Sequence, residues 1–225
     1  MNLSIGTPMY GGMCFAKYTQ SMLSLNEYFC KHKEHTLTTI YLFNQSLITL
    51  ARNTIVHKFL NHTNSSHLFF IDADISFRTE DVIRMLQYNK DVILGSYPLK
   101  DISFKNILNK KNNLIDYSGV FNVTPVNKIS KKDLFEVQWG GCGFMLISRK
   151  TFKKMIPKTD YFIYNKEKVY KFFSSGKAKE DGKFLSEDFN FCYNFRKLGG
   201  KVFLDPLCQL THFGNYEFSG NCFNI

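Results

Sequence analysis

The run His67-Leu68-Phe69-Phe70-Ile71-Asp72-Ala73-Asp74 constrains the fold more than any other stretch of the chain. A short, unbroken apolar segment of this kind fits a strand covered on both faces, as in a parallel sheet flanked by helices. It runs directly into two carboxylates separated by one residue. Open α/β sheets bind their ligands outside the carboxyl ends of the strands. Two aspartates placed there can hold a hard divalent cation and, through it, phosphate oxygens. The plainer alternative is that they end the strand and begin a turn.

The surrounding sequence alternates strand and helix patterns. Leu3 to Gly6 reads as a strand that breaks at Thr7-Pro8, followed by Gly11-Gly12. Ala16 to Phe29 reads as a helix, Leu37 to Phe43 as a strand, and Ser46 to Leu60 as an amphipathic helix with Leu47, Leu50, Ala51, Ile55 and Phe59 on one face. After the 68–71 strand come a helix over Glu80 to Gln87, with Thr79 as its N-cap, and a strand over 91–95 ending in glycine. This order implies a parallel sheet with covering helices. The second half is different. Tyr117 to Val123 and Leu134 to Trp139 read as a meander, and Gly140-Gly141-Cys142-Gly143 leads into an apolar strand over 144–147. The segment 156–184 shows no period and reads as a long loop. Ser186 to Leu198 reads as a helix closed by Gly199-Gly200, and Lys201 to Leu204 as a last strand. With no repeat and no Pro/Gly/Ser-rich linker, one domain over 1–225 is the expectation.

Charge and cysteine content narrow the class. The net charge of +10 favours an anionic partner, although the excess lies largely in Lys-rich loops around 100–111, 128–132 and 166–183. None of the six cysteines forms a C-x-x-C pair, which argues against a structural zinc site and for a reduced, intracellular compartment. No basic segment followed by a long apolar run opens the sequence, and no apolar run approaches the ~20 residues that span a bilayer, so neither a signal peptide nor a transmembrane segment is expected.

Four features then stand in a definite order: the turn Gly6-Thr7-Pro8-Met9-Tyr10-Gly11-Gly12, the Asp72-Ala73-Asp74 pair, Trp139-Gly140-Gly141-Cys142-Gly143, and Ser186-Glu187-Asp188 followed by Thr211-His212-Phe213-Gly214. This ordered set resembles the GT-A glycosyltransferases. With Ala51-Arg52-Asn53 and Gly95-Ser96-Tyr97-Pro98-Leu99-Lys100, it is most similar to the small viral and phage-type members. The resemblance runs from Leu3 to about Gly214. It implies an α/β, Rossmann-like, mostly parallel sheet flanked by helices, with a small antiparallel second half. Residues 1–100 would form the nucleotide-binding half and 101–225 the acceptor-side half.

The resemblance also implies roles. The donor would be a nucleoside-diphosphate sugar, UDP-linked as the commonest case, and the acceptor a glycan or glycoprotein. Asp74 would ligate Mn²⁺ or Mg²⁺, with Asp72 on the ribose or on a metal-bound water and His212 completing the metal shell. Asp188 would be the catalytic base of an inverting enzyme. Thr7, Pro8 and Tyr10 would line the nucleobase pocket, and Arg52 would meet the base or a phosphate. Lys100 would approach the diphosphate or the sugar, and Trp139 beside Gly140 and Gly141 would receive a sugar face. A cytoplasmic location, the host's if the chain is viral, goes with this reading. Two rivals remain. A sugar nucleotidyltransferase would carry basic residues in its first turn, and Thr7 to Gly12 has none. A non-catalytic binder of sugar nucleotides or nucleic acid would suit the charge, but no zinc-finger or RNA-binding motif is present, so no nucleic-acid partner is expected.

Overall fold

The computed structural model describes residues 2–102, 119–127, 129–178 and 180–220. The expected start of the meander at Tyr117, part of the 100–111 Lys-rich segment, Lys128 and Cys222 lie outside them. The chain begins with β1 (Asn2–Met9), α1 (Ala16–Lys31), β2 (Thr36–Phe43), α2 (Ile48–His62) and β3 (His67–Ile71). There follow β4 (Ile75–Ser76), α3 (Thr79–Gln87), β5 (Val92–Gly95), β6 (Pro98–Ile102), β7 (Gly119–Phe121), β8 (Val123–Pro125), β9 (Phe135–Gly140) and β10 (Phe144–Ser148). The remainder is α4 (Arg149–Met155), β11 (Tyr161–Tyr164), β12 (Glu167–Tyr170), β13 (Gly176–Lys177), β14 (Phe184–Leu185), α5 (Glu187–Lys197), β15 (Val202–Asp205), β16 (Thr211–Phe213) and β17 (Glu217–Phe218).

The central sheet has eight strands in the order β2-β1-β3-β10-β5-β15-β9-β8. Following the pairings along it, β1, β2, β3, β5, β15 and β8 point one way, and only β10 and β9 run against them. The sheet is thus mostly parallel, with small antiparallel pairs outside it, which is a Rossmann-like GT-A arrangement. The period of two along each strand divides the core. Leu68 and Phe70 of β3 face one side with Met145 and Ile147 of β10, packed by Ile55, Phe59, Phe152, Phe191 and Phe195. Phe69 and Ile71 face the other with Phe144 and Leu146, packed by Tyr18, Met22, Leu25, Val82 and Met85. Helices α1 and α2 therefore cover opposite faces.

Several local expectations are corrected. β1 does not break at Thr7-Pro8: it continues to Met9, paired with β2 through Met9↔Phe43. Proline is tolerated because pairing with β3 stops at Gly6↔Phe70, so the Pro8 nitrogen faces no ladder partner on that side. The 156–184 segment is not a loop. It contains the hairpin β11–β12, turned by Asn165 (φ 49°) and Lys166 (φ 68°), and the short pair β13–β14. α3 starts at Thr79 itself, with Arg78 as the flanking residue. Among the described residues Cys14, Cys30, Cys142, Cys192 and Cys208 are free, and no helix is long and apolar enough to cross a membrane.

Candidate functional site

β1 connects leftward to β2 and the chain returns rightward to β3, so the strand order reverses beside β1. A crevice opens where such a reversal occurs, at the carboxyl ends of the strands. Here β1 continues beyond β3 while β3 turns away at Asp72. The result is a cavity of about 670 Å³ lined by Pro8, Tyr10, Met13, Phe15, Ile48 and the Asp72–Asp74 turn. Its size suits a cofactor-sized ligand, with apolar walls and carboxylates at one end. The turn is pinned by backbone hydrogen bonds: Phe15 N donates to Ala73 O (2.9 Å), Phe213 N to Asp74 O (2.8 Å), and Asp72 N to Gly143 O (2.9 Å).

Asp74 and His212 come together across 138 positions of sequence, with Asp74 Oδ2 3.4 Å from His212 Nε2. Lys100 Nζ donates to the same oxygen at 2.6 Å. Burial pushes the Asp74 carboxyl up, but hydrogen bonds from His212 and Lys100, and their charges, outweigh it and hold it below its ordinary value. His212 Nδ1 lies 2.9 Å from the Pro98 carbonyl. A carbonyl can only accept, so Nδ1 donates to it, and the ring's other nitrogen, Nε2, is the one turned to the Asp74 carboxylate. An imidazole oriented through its other nitrogen, beside a carboxylate that attracts an ammonium, is a donor set that fits a divalent cation.

Asp72 does not join them. Both its oxygens accept from Arg52, Oδ1 from Nη1 and Oδ2 from Nη2, at 3.2 Å each. Asp72 continues the alternation of Leu68 and Phe70, which turns its side chain toward α2 rather than toward His212. Arg52 itself is buried at 4% exposure, so it is neither a surface charge nor open to a nucleobase. Its Nε lies 3.5 Å from Glu187 Oε1 at the start of α5. Burial disfavours its charge, but Asp72 foremost among its neighbours more than compensates, and the guanidinium stays protonated. Arg52 thereby ties the end of β3 to the helix that carries Asp188. Asp188 Oδ1 accepts from the Ser186 hydroxyl and from Phe189 N (2.8 Å), while Oδ2 carries no hydrogen bond to a described residue.

Other expected ligand contacts fall elsewhere. Pro8 and Tyr10 line the cavity, but Thr7 is fully buried with its hydroxyl 2.7 Å from the Tyr18 hydroxyl. Trp139 stacks on Phe189 of α5, with ring centroids 5.8 Å apart, and lines a separate hollow with Gln138, Tyr193 and Arg196. The glycines beside it serve the protein itself: a Cβ on Gly140 would fall 3.0 Å from Leu94, and one on Gly141 only 2.5 Å from the Tyr97 hydroxyl. Tyr97, which the sequence shows only as part of the 95–100 run, is central here. Its hydroxyl accepts from Gly143 N at 2.9 Å, and its ring meets His212 edge-on at 5.3 Å. Enclosure, then the charge on Asp72, push its phenol well up, so it stays neutral. Asn53 likewise turns inward, its amide pairing both backbone groups of Phe173.

A second group that could hold a metal ion lies outside this cavity. Ligand atoms of His57, His62 and Glu167 are all within 4.8 Å of one another. Nothing in the sequence pattern singled these residues out, because α2 and β12 meet only in the fold.

By sequence, no family model and no curated protein matches the chain. By structure it is similar to A197 from STIV, with a TM-score of 0.57 and 16% identity over 98% of this chain and 95% of that one. Looser likenesses are to a UDP-glucose pyrophosphorylase complexed with UDP-glucose (TM-score 0.47, 6% identity, 91% of this chain and 89% of that one). A third is to a Drosophila galactosyltransferase 7 variant in complex with manganese, UDP-Gal and xylobiose (0.44, 13%, 99% and 76%). At such identities the likeness is one of fold, and what the chain shares with A197 over nearly its whole length is a Rossmann-like GT-A architecture.

Proposed function

We propose that this chain is a metal-dependent glycosyltransferase that moves a sugar from a nucleoside-diphosphate sugar to a hydroxyl of a glycan or glycoprotein, with inversion. UDP is the first carrier to try, as the commonest in the enzymes the sequence resembles. The observation that carries the reading is the shared oxygen of Asp74, 3.4 Å from His212 Nε2 and 2.6 Å from Lys100 Nζ, at the end of a 670 Å³ apolar cavity. Asp74 and His212 would hold the cation. When bound, it neutralises charge on the departing diphosphate as a Lewis acid.

The chain's own groups do the rest. Pro8, Tyr10, Phe15 and Ile48 enclose the nucleoside. Lys100, on a long and partly exposed stem, leaves Asp74 for the diphosphate. Asp188 accepts the acceptor hydroxyl's proton on Oδ2 as the oxygen bonds to the anomeric carbon and the nucleoside diphosphate leaves with the electron pair of the broken C–O bond. Arg52 positions Asp188 by holding Glu187 against Asp72. The test is a thermal-shift screen of sugar nucleotides with Mn²⁺, followed by turnover of the Asp188→Asn variant with the stabilising donor. The expected outcome is a normal donor shift with turnover reduced at least ~100-fold, the usual weight of a general base. A variant that turns over normally removes Asp188 from catalysis, and one that loses the donor shift makes it structural.

A further inference from the structure

Helix α2 has two functional ends. Its first residue, Ile48, lines the donor cavity, and its last, His62, lies about 21 Å away at 1.5 Å per residue. At that far end His57 and His62 face Glu167 of β12 beside a hollow of about 530 Å³. His57 Nδ1 lies 3.1 Å from the Lys168 carbonyl, which orients the ring. The Asn61 amide, 3.2 Å from the same nitrogen, also donates to the His57 carbonyl at 3.0 Å. Nε2 is buried and sits 3.0 Å from Glu167 Oε2. Metal bonds of ~2.0–2.2 Å set neighbouring ligand atoms roughly 3.0–3.5 Å apart, so this spacing matches one edge of a coordination shell.

The neighbouring charge does not occupy the place. Lys168 turns its ammonium onto the rings of Tyr161 (4.0 Å) and Tyr170 (5.0 Å) instead of onto Glu167. We propose that His57, His62 and Glu167 form a second cation site, separate from the donor cavity, that takes a borderline ion such as Zn²⁺ and clamps the β11–β12 hairpin to α2. Two imidazoles and one carboxylate leave a fourth position for water. The clamp has a mechanical purpose. The hairpin turns through Lys166 at positive φ, a conformation costly for a residue with a Cβ, and it leads directly into Phe173, which Asn53 of the same helix holds.

The test uses the full chain, freed of metal by chelation and then titrated with Co²⁺ or Zn²⁺ alone. Wild type and Asp74→Ala are expected to share a visible Co²⁺ band, without the near-ultraviolet thiolate absorption that Cys14 or Cys30 would give, and to rise in Tm with Zn²⁺. His62→Ala and Glu167→Gln, both at exposed positions, are expected to lose the band and the Tm rise, with affinity at least tenfold weaker. Retention of both signals in these two variants, or their loss in Asp74→Ala, overturns the proposal.

Discussion

Arg52 decides how the residues of the candidate site are arranged. A buried guanidinium forked onto Asp72 and near Glu187 is one cation shared by two acids, with a ring face of Phe70 5.4 Å away. Replacing it by an apolar residue leaves two half-buried carboxylates without a countercharge. Arg52→Met is expected to lower unfolding stability by about 2–3 kcal/mol, read as a shift of the denaturant midpoint, because an unpaired, partly desolvated charge costs more than the pair contributes. An unchanged midpoint would mean the carboxylates are solvated. At this scale the sequence was partly legible. Asp74 and His212 could be named because motif order points to them. The inward turn of Arg52 and Asn53 could not, because both carry polar side chains on a helix whose buried face is set by what packs against it. The same holds for the glycines at 140 and 141: a small residue marks a close approach but not by what, and here the neighbours are Leu94 and Tyr97.

Among elements, β10 and the hairpin mark where pattern reading stops. β10 is buried along all of its residues and inserts antiparallel between β3 and β5. A two-face-buried strand reads as a continuous apolar run whichever way it points, so composition reveals the strand and hides its direction. The hairpin is hidden in the sequence for a different reason. Its strands alternate weakly, and its two-residue turn is Asn165-Lys166 where glycine usually holds the second place. That departure is itself testable. Lys166→Gly removes a Cβ from a φ of 68° and is expected to stabilise the chain by about 1 kcal/mol, measured as a Tm increase. A decrease would show that the Lys166 side chain contributes more than its backbone costs.

Across the whole molecule, the strand order places the cavity, and a buried ion network holds the last strand of the site in register. Asp81 accepts from Arg78, Arg84 and the Gln209 amide, and Arg84 also reaches Asp205, with both carboxylates essentially unexposed. This network anchors the segment that delivers His212 to Asp74. Asp81→Ala is expected to cost about 2–3 kcal/mol in unfolding stability, since it leaves the Gln209 N–H without its acceptor and Arg84 with Asp205 alone, and calorimetry would read it directly. A cost near zero would mean the segment is held by its apolar contacts alone. The central claim, that Asp74 and His212 hold a cation for a nucleoside diphosphate, is tested most directly by electron paramagnetic resonance of Mn²⁺ titrated into the chain with and without UDP. The account predicts that UDP tightens Mn²⁺ binding in wild type and that Asp74→Ala and His212→Ala each abolish this coupling. Equal Mn²⁺ uptake with UDP in wild type and in both variants would contradict it.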